Sequence, residues 1–145
     1  MTDVLALDIA TTTGWCRGRV DSDAPQCGSV CFAKSPESSH PAICGNALGW
    51  FIDLLSPPLP DILAIERMLP PAALKNRSNE HHELLGHLQG IVLGVANVRG
   101  IYQIKRYSPN SIRAHFLNGI PYGRGEVKEV TIRKCRSLEI GRAHV

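Results

Sequence analysis

The sequence predicts an α/β domain built on a five-stranded mixed sheet, with a three-stranded antiparallel meander followed by β-α-β-α and flanking helices. Three observations carry that prediction. Residues 4–9 are almost wholly apolar (VLALDI) and run into a Thr/Gly turn, as a buried strand does. Two more short strand-like runs follow at hairpin spacing before any helical periodicity begins. A helical stretch is then halted by Pro57, Pro58 and Pro60, and a second apolar strand ends in a carboxylate.

Each element has its own justification. In the first strand Val4, Ala6, Asp8 and Ala10 share one face, and Leu5, Leu7 and Ile9 the other. The large aliphatics pack one side, while Asp8 stands between two alanines that leave space beside it. An unpaired carboxylate is costly to bury, so Asp8 is expected to be paired, protonated or holding a cation; capping the following turn is the alternative. Residues 14–20 and 28–33 read as the second and third strands. A helix is expected from Pro41, with Ile43, Ala47, Leu48, Phe51, Ile52 and Leu55 on one face. Residues 61–66 form the fourth strand, which a right-handed crossover places parallel to the first. Its parity repeats the first strand's: Ala64 and Glu66 on one face, Leu63 and Ile65 on the other. Two adjacent strands thus end near carboxylates, at the edge where open α/β sheets place their sites. After a loop over 67–77, Ser78 or Asn79 caps a helix to about residue 99, with Leu84, Leu85, Leu88, Ile91, Val92 and Val95 as its buried stripe. Gly100 ends it, and 101–107 read as a fifth strand near an edge. Ser108 and Pro109 open a helix through about 117, and a Gly-rich turn (123–125) leads into a last helix over 126–138.

At 145 residues the chain has the size of one domain. It lacks any apolar run near the ~20 residues of a membrane span and any signal-like leader, which points to the cytoplasm. Five cysteines without framework spacing fit a reducing compartment and read as scattered buried thiols. Cys27, Cys31, His40 and Cys44 include four possible zinc ligands, but their irregular spacing argues against a site. His81, His82 and His87 read as a solvated helix face, with DNA contact as the alternative. The net charge of +3 permits nucleic-acid binding without arguing for it. Lys75, Arg77, Lys105, Arg106, Arg113, Arg124 and Lys128 gather around loops near the strand ends, where as a group they could neutralise phosphates.

The strand order is similar to that of the ribonuclease-H-like fold, and three motifs narrow the likeness. "LALDIATTTGW" resembles the first strand and turn of RuvC-type Holliday junction resolvases, and "ILAIERML" resembles their fourth strand, which ends in Glu. "YSPNSIRAHFLNGIPYGRGEVKEVTIRKC" resembles their Pro-started helix, Gly-rich turn, lysine and further helix. The likeness spans residues 4–138. It implies an endonuclease, usually homodimeric, that cuts branched DNA in recombination and repair. It also implies a pair of Mg²⁺ or Mn²⁺ ions held by carboxylates. By position, Asp8 and Glu66 take the places of metal ligands and Lys128 that of a lysine facing DNA. Lys75, Arg77 and Arg124 join Lys128 as the expected DNA contacts.

One departure stands out. The family carries further acidic ligands on its last helix, in a pattern resembling D-A-x-D-A, and nothing after Glu139 supplies them. The final hexapeptide, residues 140–145, is the in-frame translation of a common short-read sequencing adapter, ATCGGAAGAGCACACGTC. The nuclease domain is therefore expected to occupy residues 1–139 incompletely, with little activity in this fragment. Two rival functions stay open on the sequence alone. Asp8 with its Thr turn also resembles the phosphate-binding hairpin of actin-like and sugar-kinase ATPases, which need two such domains. A non-catalytic DNA-binding module on the same fold is the other.

Overall fold

The computed structural model describes residues 2–20, 24–68 and 78–108. The chain divides into two compact units, residues 1–107 and 108–145. The described elements all belong to the first: β1 (Asp3–Asp8), β2 (Thr12–Arg19), β3 (Gln26–Cys31), α1 (His40–Leu54), β4 (Ile62–Glu66), α2 (Asn79–Val98) and β5 (Ile104–Tyr107). The expected helices over 109–117 and 126–138 and the 140–145 tail lie outside the described residues, as do Lys75, Arg77, Arg113, Arg124 and Lys128.

The strands form one sheet in the order β3-β2-β1-β4-β5. The β3-β2-β1 meander is antiparallel, and the β1–β4 and β4–β5 pairs are parallel. This is the expected mixed sheet of ribonuclease-H-like order. Its alternation sends Leu5, Leu7, Leu63 and Ile65 into a core closed by Ile43, Ala47, Phe51 and Leu55 with α2's Leu88, Val92 and Ala96. Both helices pack on this face. Four of the six residues of α1's anticipated stripe are buried, but Leu48 and Ile52 are 43% and 39% exposed, because the buried arc is narrower than the apolar one.

Helix ends follow local chemistry. Ser39 Oγ accepts the Ala42 N–H at the start of α1, where Pro41 also sits. Of the two candidates for the α2 cap it is Ser78, whose Oγ accepts the His81 N–H. At the other end Gly100 adopts φ +84°, with its N–H on Asn97 O and the Ile101 N–H on Ala96 O. That is a Schellman termination, and it buries Ile101 in the core with Ala96. The same cap shortens β5: the helix stop ends at Ile101, Gln103 O accepts the Leu63 N–H of β4, and the strand itself runs over Ile104–Tyr107.

The β1–β2 turn is tighter than the sequence suggests. β2 begins at Thr12, and the buried Thr13 closes the turn, its Oγ1 donating to Ala10 O at 2.7 Å and accepting the Ala10 N–H. Gly28 is required by close approach, for a Cβ there would lie 2.9 Å from Trp15 Nε1. Cys16 and Cys27 are opposite one another in the β2–β3 register and are joined by a disulfide. The expectation of scattered buried thiols is thereby corrected: hairpin pairing brings two cysteines of this strand pair face to face, and Cys31 is exposed.

At the opposite end of the sheet, Arg17 of β2 holds Asp3 of β1 through Nη2 at 2.6 Å and also donates to Pro58 O. Asp61 accepts the Asp3 N–H, so β1, β2 and the loop before β4 meet around one ion pair. The Arg17 hydrogen bond holds the Asp3 carboxyl below its ordinary range. Its ionised form is therefore favoured in the folded chain. Replacing Asp3 with Asn is expected to cost about 0.5–1 kcal/mol at neutral pH, the scale of a partly exposed pair. Because the folded value is depressed, that contribution is present above the unfolded carboxylate range and is lost as pH falls through the folded value. Urea denaturation of both proteins from pH 7 to pH 3 should show the difference shrinking; a constant difference would remove the ion pair as its cause.

Candidate active site

The β1–β4 register sets Val4 beside Ile62, Ala6 beside Ala64 and Leu7 beside Ile65. One residue further on, Asp8 and Glu66 close the two strands at their carboxyl ends. Both belong to the sheet face turned away from α1 and α2. Asp8 is exposed and Glu66 half-buried, which corrects the picture of a buried Asp8. Asp8 shares with the exposed Ala6 the face that no described helix covers, while its neighbours Leu7 and Ile9 point into the core.

Among the described residues, little bulk flanks this corner. Gly14 pairs with Asp8 across the β1–β2 ladder and adds no side chain to its flank. The Thr13 turn fixes the backbone just beyond Asp8. On the other side, Tyr107 pairs with Glu66 and Lys105 with Ala64, so β5 adds a 46% exposed ring and a cation to the same face. Two oxygen-rich carboxyl groups at adjacent strand ends, reachable from solvent, suit hard divalent cations such as Mg²⁺ or Mn²⁺.

Glu66 is held from behind by a residue that periodicity alone does not single out. Gln89 of α2 is 5% exposed; its Nε2 donates to Glu66 O at 2.9 Å, and its Oε1 accepts from Arg106 Nη2 at 3.1 Å. A glutamine on the apolar side of a helix signals such a bridge, because a buried amide needs partners. Among the sequence-derived candidates, then, Asp8 and Glu66 come together, Lys105 and Arg106 lie on the neighbouring strand, and Lys75, Arg77, Arg124 and Lys128 fall outside the described residues.

This fold is similar to that of solved RuvC-type resolvases. The RuvC of Thermus thermophilus matches with a TM-score of 0.65 at 20% identity, over 91% of this chain and 78% of that one. T. thermophilus RuvC in complex with Holliday junction substrate matches at 0.64 and 17% identity, over 98% and 96%. The yeast mitochondrial Holliday junction resolvase Ydc2 matches at 0.60 and 13%, over 91% and 61%. No protein-family model and no curated protein sequence matches the chain.

Replacing Gln89 with Leu keeps the volume but leaves the Glu66 carbonyl and the Arg106 guanidinium without this partner. The expected cost is about 1–3 kcal/mol in urea denaturation, the penalty for losing one side of a buried hydrogen-bonded pair. Arg106→Ala, which leaves the Gln89–Glu66 bond intact, should cost less. Equal stability of Gln89→Leu and the parent chain would show the bridge to be incidental.

Proposed function

We propose that the chain is a metal-dependent endodeoxyribonuclease that hydrolyses phosphodiester bonds in branched DNA such as Holliday junctions, acting in recombination and repair in the cytoplasm. The observation that carries this reading is the pairing of Asp8 and Glu66 at adjacent parallel strand ends, on a fold shared with Holliday junction resolvases. Asp8 and Glu66 would be the residues that hold a pair of Mg²⁺ or Mn²⁺ ions. When bound, such a pair supplies water activation and stabilisation of the leaving oxygen. The chain's own residues position the DNA: Lys105 offers a phosphate partner, and Tyr107 a ring on which an unpaired base can stack. Lys75, Arg77, Arg124 and Lys128 are proposed as further phosphate contacts. The nuclease domain is proposed to be residues 1–139.

A Holliday junction offers two equivalent strands, so two cuts call for two copies related by a twofold axis. A groove of about 630 Å³ between the outer faces of α1 and α2, lined by Leu48, Ile52, Gly90, Ile91, Gly94, Val95 and Val98, is proposed to seat the second copy. Among the described residues no helix is long and apolar enough to cross a membrane, so a membrane does not compete for this face through a spanning helix.

Cleavage of a synthetic four-way junction should require Mg²⁺ or Mn²⁺. It should run slowly with the 145-residue chain. Asp8→Asn and Glu66→Gln should each nearly abolish that cleavage while leaving the thermal transition in place. Metal-independent cleavage, or a fully active Asp8→Asn protein, would overturn the assignment. DNA binding without any metal-dependent cleavage would leave a non-catalytic module instead.

Charge removal at Lys75, Arg77, Arg124 or Lys128 should reduce the salt slope of junction binding by about one unit for each phosphate no longer neutralised. An unchanged affinity and slope would make these ordinary solvated cations.

A further inference from the structure

Away from the carboxylate corner, the helical layer brings together three side chains with metal-ligating atoms. His40 and Cys44 lie one turn apart at the start of α1, a spacing that puts both on one helix face. His87 comes from the facing helix α2. His40 Nε2 and His87 Nδ1 are 2.8 Å apart in a hydrogen bond, and the rings meet edge to face with centroids 4.9 Å apart. One ligand atom from each of the three residues, the Cys44 sulfur included, lies within 4.8 Å of the other two. His40 and Cys44 are half-buried and His87 is exposed, so the group can be reached from solvent. The sulfur is a free thiol rather than half of the Cys16–Cys27 disulfide.

We infer that His40, Cys44 and His87 form a zinc-binding site that clamps the start of α1 to the middle of α2. Two imidazoles and a thiolate are borderline-to-soft ligands, which select Zn²⁺ over the hard cations suited to Asp8 and Glu66. Tetrahedral zinc with ~2.0–2.1 Å Zn–N and ~2.3 Å Zn–S bonds needs its ligand atoms about 3.3–3.6 Å apart. The observed set brackets that range. The two nitrogens must open by about 0.5 Å and the sulfur must close by at most about 1.2 Å, movements within the reach of side-chain torsions. Without the ion, the His40–His87 hydrogen bond holds two of the ligands close together. With it, the donating imidazole carries its proton on its other ring nitrogen instead, so that both facing nitrogens can bind the metal, and Cys44 binds as the thiolate, releasing its proton to solvent. Three protein ligands leave a fourth position for water. Since α2 also carries Gln89, two residues after His87, the clamp acts on the helix that supports the Glu66 backbone.

The test uses the 145-residue chain, reduced, stripped with a chelator and titrated with Zn²⁺ against a competing dye, with Co²⁺ as a spectroscopic substitute. The expected result is one Zn²⁺ per chain, a thiolate-to-Co²⁺ charge-transfer band, and a rise in Tm on zinc addition. Cys44→Ser, His40→Ala and His87→Ala should each weaken zinc binding roughly 100-fold or more and remove the Tm rise; Cys44→Ser should also abolish the charge-transfer band. Cys31→Ser and the Cys16→Ser/Cys27→Ser pair should retain binding, as should Asp8→Asn, which separates this site from the proposed nuclease centre. Zinc binding that survives both Cys44→Ser and His87→Ala, binding lost only in the control variants, or no binding by the parent chain would each overturn the proposal.

Discussion

The parallel pairing of β1 with β4 is the constraint on which the rest of the structure depends. Its register places Ala6 beside Ala64 and Leu7 beside Ile65. Because strand side chains alternate with a period of two, a slip of one residue would turn Leu5, Leu7, Leu63 and Ile65 out of the core. The same slip would take Asp8 and Glu66 out of step. Burial of the four aliphatics therefore enforces the alignment of the two carboxylates, although neither carboxylate contributes to the core.

Support for that corner comes from elements distant in sequence. The Thr13 hydroxyl shapes the turn after Asp8 with two bonds to Ala10. Gln89 reaches from α2 to the Glu66 backbone and to Arg106. The position of α2 is in turn set by Leu88, Val92 and Ala96 in the core and by the Schellman stop at Gly100. A polar bridge of this kind is strict, since each member must find its partner, and it can be met only when α2 is at the right depth and rotation.

The helical layer has a different character. Its inner face is closed over the sheet, while its outer face leaves Leu48, Ile52 and Val98 in solvent around a shallow apolar groove. At the other end of the same helix pair stands the polar group of His40, Cys44 and His87. One pair of helices thus presents both an apolar surface and a compact cluster of soft ligands, chemistries distinct from the hard carboxylates across the sheet.

The order of elements, the two-face alternation of β1 and β4, the helix caps and the candidacy of Asp8 and Glu66 were legible in the sequence, because each rests on local periodicity or on residues close in the chain. The exposed setting of Asp8 was not, since burial depends on what covers a strand end rather than on its apolar neighbours. Nor were the Cys16–Cys27 pairing, which follows from the β2–β3 register, and the narrow buried arc of α1, which follows from how α2 packs beside it. His40 and Cys44 belong to one sequence pattern and His87 to another, and nothing local links them. Gln89 reads as a polar interruption of an apolar stripe. Short-range spacing determines which faces the strands and helices offer; only the packing of helix on helix and strand on strand decides which polar groups from distant segments meet.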